Sequence, residues 1–445
     1  MILIILVLII TVHILILSKL IFFPYLELFV YPYLTNHGLI PYRDILDQHF
    51  PGLMFFPINL DNLGMTTPTV ARYWQYGIVI LTHTLLFFVA RKVFKSNLKA
   101  LIVNFLYLIW QPFFEGWALW IDSFLPILLL PAFYFTYVWE KNRKSKFIFL
   151  AGLFLGLGLL FKQVMIVLIG FVFLYVLFKS KSIKKIIPFG LGLAIPVLFL
   201  VVYVLKLGVW DDFVYWTLTF NLTTFADFGR KYPEMTLLLR TIFVFLPALL
   251  VWRKNFLNFV FLIGSLVFVY ARFDFVHLQP ALPFAVMGTV YAFDFVWTTY
   301  EKKILILPYF LGTILILFKF YQGYIGNRIF FFGEEEKAIV NKVVSLSRPT
   351  DKVFAFGTPQ HLYQTARRLP PGNIFVFQFP WFMMEAEGRV FSGILNDPPK
   401  VVVRDKLAEV DGKNLMEYMP NIVKYIDQNY KVIDKVGNSE ILVPK

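Results

Sequence analysis

Residues 25–51 read YLELFVYPYLTNHGLIPYRDILDQHFP. They follow directly on an apolar segment, Met1 to Phe23, and lead towards a second apolar run that starts near residue 73. Between the two lie Glu27, His37, Arg43, Asp44, Asp47 and His49. Carboxylates and imidazoles are costly beside hydrocarbon, so a cluster of them pressed between two membrane-length segments marks a functional loop before it marks a solvated one. The fold follows from this alternation of apolar runs with polar loops, taken along the rest of the chain.

Composition agrees. The chain of 445 residues is 58% hydrophobic, with a mean hydropathy of +0.68. That is too apolar for a soluble globule and suits a polytopic membrane protein. Aromatic residues make up 19% of the chain, 52 of them Phe, as lipid-facing and interfacial surfaces favour. There is no cysteine, which excludes disulfides and thiolate metal sites. The N-terminal run MILIILVLIITVHILIL has neither a basic n-region nor a small-residue cleavage site, and is expected to be a retained first span.

The apolar runs give about eleven spans of about 15 to 22 residues. Their cores are 2–22, 73–90, 100–114, 123–139, 147–161, 163–178, 187–205, 236–252, 256–271, 280–297 and 304–320. Alternate junctions are strongly basic: Arg91, Lys92, Lys95 and Lys99; Lys141, Arg143, Lys144 and Lys146; Lys179, Lys181, Lys184 and Lys185; Arg253 and Lys254; Lys302 and Lys303. Glu140 and Glu301 are the clear acids among them. The positive-inside rule makes this side cytoplasmic, with the N-terminus inside and the C-terminus outside the cell membrane. The parity hinges on residues 147–178, where Lys162 divides one long run into two short spans.

The opposite side collects Glu27, Asp44, Asp47, Asp61, Glu115, Asp122, Asp211, Asp212, Asp227, Glu234 and Asp274, with isolated cations at Arg43, Arg72, Lys162, Arg230, Lys231 and Arg272 and histidines at His49 and His277. Acids contribute little to orientation, so their concentration there suits a reaction centre at the outer interface. Asp211, Asp212 and Asp227 read as solvated loop residues. After Phe320 the pattern changes to alternating strand-like and helix-like runs: strands at 352–357, 373–379 and 400–405, helices at 360–369, 381–395 and 414–429, and a terminal hairpin at Gly437 and Asn438. The expected division is a transmembrane module at 1–320, with its first external loop at 24–72, and an external α/β domain at 321–445. That domain shows no phosphate fingerprint, nucleophile elbow or metal-binding histidine pair, and is expected to have no active site of its own.

The run GLIPYRDILDQHFPG at 38–52 resembles the first outer loop of the GT-C membrane glycosyltransferases, in the family 39-like branch of protein O-mannosyltransferases and aminoarabinose transferases. GLGLLFKQ at 156–163 is similar to the Gly-rich span that ends in a Lys. ARFDFVHLQPALPF at 271–284 resembles the late external Arg/His segment, and LYQTARRLPPGNIFVF at 362–377 the start of the bacterial external domain. The chain departs from the pattern upstream, where many members have an Asp-Glu pair and this sequence has Tyr25-Leu26-Glu27. The resemblance implies a GT-C type polytopic helical protein of about eleven spans with a C-terminal external α/β domain. It implies inverting transfer of a sugar from a polyprenyl-phosphate carrier to a glycan, lipid or protein acceptor.

Such chemistry needs cations for the donor phosphate and a carboxylate to take the acceptor's proton. Lys162, Arg272 and His277 suit the first role. Glu27, Asp44 and Asp47 compete for the second, in that order; Asp44 and Asp47 would share a face if the loop were helical. Tyr42, Arg43 and His49 are expected to position or bind substrate. Asp47 and His49 sit two apart, but no third ligand accompanies them, so no cofactor and no metal are expected. No nucleic-acid partner is expected. A lipid-linked glycan polymerase or ligase is the nearest competing class. A secondary transporter is further off, since neither internal repeats nor paired broken helices are visible.

Overall fold

The computed structural model describes residues 1–299 and 306–445. The basic junction at Lys302 and Lys303, with Glu301 and the first two residues of the last expected span, lies outside the described residues. Every other expected span overlaps a helix, and the last does so from residue 307. Ile2–Lys19, Pro68–Phe94, Ile121–Asn142 and Ile187–Leu207 are long and apolar enough to cross a membrane by length and composition. Asn97–Trp110, Ser145–Phe161, Met165–Ser180, Met235–Leu250, Phe256–Val269 and Leu282–Thr298 are shorter apolar helices, and Leu307–Tyr324 completes the series. The doubtful run at 147–178 is two helices: the first ends at Phe161, Lys162 is extended (φ −153, ψ 120), and the second begins at Met165.

The chain divides into two compact units. The first contains residues 1–23, 71–200 and 231–328 and is helical. Gly152 and Gly156, in a small-xxx-small pattern, let Ser145–Phe161 approach Ile187–Leu207 with backbones nearly touching. A Cβ on Gly152 would sit 2.1 Å from the Phe189 carbonyl oxygen, and one on Gly192 would sit 2.0 Å from that of Phe149. The basic junctions fold onto their own aromatic neighbours: Arg143 over Trp139, Lys141 over Tyr137, Arg253 over Trp252. Lys179 pairs with Glu140 at 2.8 Å. Long cationic side chains at span ends gain cation–π attraction in this way while their charge reaches the interface.

The second unit contains residues 24–70, 201–230 and 329–445. Its four-stranded sheet runs Val353–Phe356, Val401–Asp405, Ser439–Pro444, Tyr430–Val436; the first pair is parallel and the others antiparallel. Helices Glu334–Leu346, Pro380–Asn396 and Pro420–Asn429 accompany it. The hairpin turns at Gly437, whose φ of +57 is a conformation glycine adopts without strain. Two expectations differ. The helix expected over 414–429 starts at Pro420, after a 3-10 turn at Leu415–Tyr418, because proline takes the first helical position. The strand expected over 373–379 shrinks to Phe375–Val376 and does not join the sheet. It pairs in parallel with Ile45–Leu46 of the first loop. The boundary drawn at 320/321 therefore does not follow the compact units, since residues 24–70 and 201–230 cluster with the C-terminal residues.

Candidate active site

In the helical unit the expected phosphate-binding residues gather around a break and a loop. Lys162 occupies the break after Phe161, where the chain has left the helical ladder and its ammonium can turn inward. Its Nζ lies 2.7 and 2.8 Å from the two oxygens of Asp122, a carboxylate with no solvent exposure. His277, on the short turn Phe275–Leu278, places Nδ1 2.8 Å from Asp122 Oδ2 and 3.1 Å from Lys162 Nζ. With the ammonium donating to both oxygens, the Nδ1–H of a neutral His277 donates to Oδ2. Burial and then the neighbouring ammonium hold the His277 pKa below the ordinary histidine value, against the pull of Asp122.

The same loop carries Arg272, whose Nε is 3.5 Å from Asp274 Oδ2, while Lys231 reaches the other oxygen at 2.6 Å. Burial works against the Asp274 charge, but the Lys231 contact and then Arg272 keep its carboxyl below the usual range. Glu115 anchors the loop. It accepts the Val276 N–H at 3.0 Å, and its own carbonyl accepts Gln279 Nε2 at 3.0 Å. Burial, then the charge of Asp274, push its carboxyl up to about 7. Lys162 and His277 are thus brought together, Arg272 joins through Asp274, and each cation is already matched to an acid. Lys231 and Arg272 share Asp274, while Lys162 faces Asp122.

The first-loop carboxylates, in the second unit, have unlike surroundings. Glu27 opens the helix Glu27–Asn36 and is 4% exposed. Burial pushes its carboxyl up to about 7; its own backbone N–H and His49 oppose the shift, and the charge of Asp47 adds to it. Asp47 is 1% exposed and saturated with donors: Tyr31 O–H at 3.0 Å, the His49 backbone N–H at 2.8 Å and His49 Nδ1 at 3.1 Å. Asp44 is used differently. It accepts the Ile40 N–H at 2.8 Å and pairs with exposed Arg43 at 3.3 Å, which locks the PYRD turn.

Asp44 and Asp47 do not share a helical face, because Ile45 and Leu46 between them are a strand. Tyr42 takes a left-handed conformation (φ 68) and donates its hydroxyl to the His49 carbonyl at 3.0 Å, so it shapes the loop. Among the described residues no group of three or more His, Asp or Glu is placed to hold a metal ion.

Sequence reasoning missed Asp122 and Glu115 as site residues. Asp122 is the second residue of the apolar stretch Ile121–Asn142, so the rule that singled out Lys162, an ionisable group at the edge of hydrocarbon, applied to it as well.

Residues 61–205 match the family model of dolichyl-phosphate-mannose-protein mannosyltransferases. No curated protein sequence matches the chain. Among solved structures, ArnT from Cupriavidus metallidurans bound to undecaprenyl phosphate is similar at a TM-score of 0.62 and 12% identity, over 99% of this chain and 97% of that one. The archaeal oligosaccharyltransferase AglB from Archaeoglobus fulgidus, in complex with an inhibitory peptide and a dolichol-phosphate, is similar at 0.52 and 12% identity, over 98% of this chain and 74% of that one. The chain is a helical membrane protein with the GT-C fold, as the resemblance of its first loop implied.

Proposed function

We propose that this protein is a glycosyltransferase that moves a sugar from a polyprenyl-phosphate carrier to an acceptor hydroxyl or amine, with inversion at the anomeric carbon. The observation that carries the reading is the cluster of Lys162, Arg272 and His277 at a helix break and its adjoining loop. It belongs to a fold in which ArnT was solved with undecaprenyl phosphate and AglB with a dolichol-phosphate. Cations aimed at the phosphate bind the donor and stabilise the charge that grows on the leaving oxygen.

In the reaction, the acceptor oxygen or nitrogen forms a bond to the anomeric carbon from the face opposite the phosphate. The carbon–oxygen bond breaks, its electron pair goes to the phosphate, and the acceptor's proton goes to a first-loop carboxylate. Glu27 is the carboxylate we assign. A general base works best when its pKa lies near the working pH, and Glu27 sits at about 7. Asp44 is occupied by its turn, and Asp47 by its donors. The sugar and the acceptor are left to substrate screening, for which mass spectrometry of surface glycans with and without the protein is the direct route.

Arg272→Ala tests the phosphate site. Losing a charge-assisted contact of about 1.5–3 kcal/mol should weaken undecaprenyl phosphate binding by roughly tenfold or more in a titration with purified protein. Unchanged affinity would remove Arg272 from the site. Orientation is tested separately. With the basic junctions in the cytoplasm, a reporter active only there and fused after Lys445 should be silent. A strong signal would reverse the assignment of residues 321–445 to the outer side.

A further inference from the structure

Between the apolar helices Ile187–Leu207 and Met235–Leu250 the chain reads GVWDDFVYWTLTFNLTTFADFGRKYPE, residues 208–234. The first helix ends in a paired turn. Gly208 N–H donates to the Leu205 carbonyl at 3.0 Å and Val209 N–H to that of Val204 at 3.3 Å, with Gly208 at φ +67, where glycine carries no strain. A new helical stretch starts at once and runs from Trp210 to Leu222, with a π turn at Tyr215–Thr219. Four α-helical residues overshoot one turn by about 40°, while four residues of a π turn fall short of one. The π turn therefore keeps Trp210, Val214, Leu218 and Leu222 in one line. The other side of the stretch is packed. Phe213 meets Tyr42 edge-on at 5.1 Å, Trp216 lies 6.1 Å from Phe382, and Phe220 stacks on Phe382 at 5.1 Å. Tyr215 donates to Glu385, and Arg389 reaches Asp212 at 3.5 Å. The line itself is open: Trp210 is 42% exposed, Leu218 45% and Leu222 79%.

We propose that residues 210–222 lie along the membrane interface. Trp210, Leu218 and Leu222 insert at the boundary of headgroups and acyl chains, and the opposite side holds the helix Pro380–Asn396. A single exposed leucine needs no explanation, but three large apolar side chains on one line, with no charged residue in it, form a surface to be covered. Two observations make lipid the cover. The line continues a membrane-length helix whose Leu198, Val202 and Leu205 are exposed in the same way. Trp210 lies three residues past that helix, within about 11 Å of its end by chain length, so it reaches the headgroup layer where Trp is favoured. The charge pattern agrees. Between Lys206 and Arg230 the chain carries Asp211, Asp212 and Asp227 and neither Lys nor Arg. Attraction to anionic headgroups therefore does not drive the contact, and burial of apolar area does. The inference is independent of the donor and the base assigned above.

The chain has no cysteine, so single cysteines take an environment-sensitive fluorescent label at chosen positions. Leu218→Cys and Leu222→Cys, with Lys431→Cys on the exposed edge strand Tyr430–Val436 as the solvated control, are labelled in the full-length protein and placed in phosphatidylcholine nanodiscs. The melting temperature of each is recorded. Lipids with a nitroxide near the top of the acyl chain should quench the labels at 218 and 222 several-fold more than the label at 431. Aqueous iodide should show the reverse order. Iodide quenching at 218 and 222 as strong as at 431 overturns the proposal. Protection of both labels from both quenchers also overturns it, because protein then covers the line, whether a second copy or an acceptor. Where a labelled variant melts early, Trp210→Cys replaces it and reads the same line from the end nearest the span.

Discussion

Glu27→Gln is expected to lower turnover by about 10²-fold or more while leaving donor binding nearly intact, because an amide keeps the shape of the carboxyl and cannot accept the proton. The wild-type protein should show the matching pH dependence. Its kcat/KM should rise with pH through about 7, as the buried carboxyl ionises, and that rise should vanish in the variant. Stability supplies an independent sign. A carboxyl whose folded pKa is raised to about 7 from 4.5 contributes stability that is fully present below about 4.5 and is lost as pH climbs through about 7. Glu27→Gln removes that loss, so its melting temperature should exceed the wild type's at pH 8 and match it near pH 5. A variant that is slower yet more stable at high pH is the signature of a group strained for function. Full activity in the folded variant would take the base out of this position.

Lys162→Met is expected to be the most damaging single change in the helical unit. It removes the ammonium from a carboxylate with no solvent exposure, and stranding a buried charge costs about 3–5 kcal/mol. His277 still donates one hydrogen bond to Asp122, but a neutral ring does not cancel the charge. The double variant Lys162→Met with Asp122→Asn removes both charges together and should recover most of the melting temperature, since replacing a buried pair is often neutral. It should not recover undecaprenyl phosphate binding, which needs the cation. Recovery of both would make the pair structural and move the phosphate elsewhere. Failure to recover stability would mean that Lys162 supports the break through its packing.

Much of the architecture was legible because hydropathy is a local property. Spans, basic junctions, the break at Lys162 and the terminal hairpin each follow from residues adjacent in sequence. Pairing was not legible. Asp122 meets Lys162 across 40 positions and His277 across 155, and nothing near any of the three announces the others. The run at 373–379 has the apolar character of a central strand, yet its partner is Ile45–Leu46, so strand propensity was read correctly and its destination was not. Asp44 and Asp47 looked like helical neighbours by spacing. The extended Ile45–Leu46 between them, held by the Phe375 N–H to the Asp44 carbonyl at 2.8 Å, overrides it.

That short pairing has a consequence for how the protein comes into being. The strand and ring that meet the first loop, Phe375–Val376 beside Ile45–Leu46 and Phe375 against Tyr31, lie 330 or more positions further along the chain. Contacts of such long range form slowly, because the intervening chain must be placed before they reward it. A stretch that holds every first-loop residue named above still lacks the strand that pairs with Ile45–Leu46, so the loop's own sequence does not complete the loop's fold.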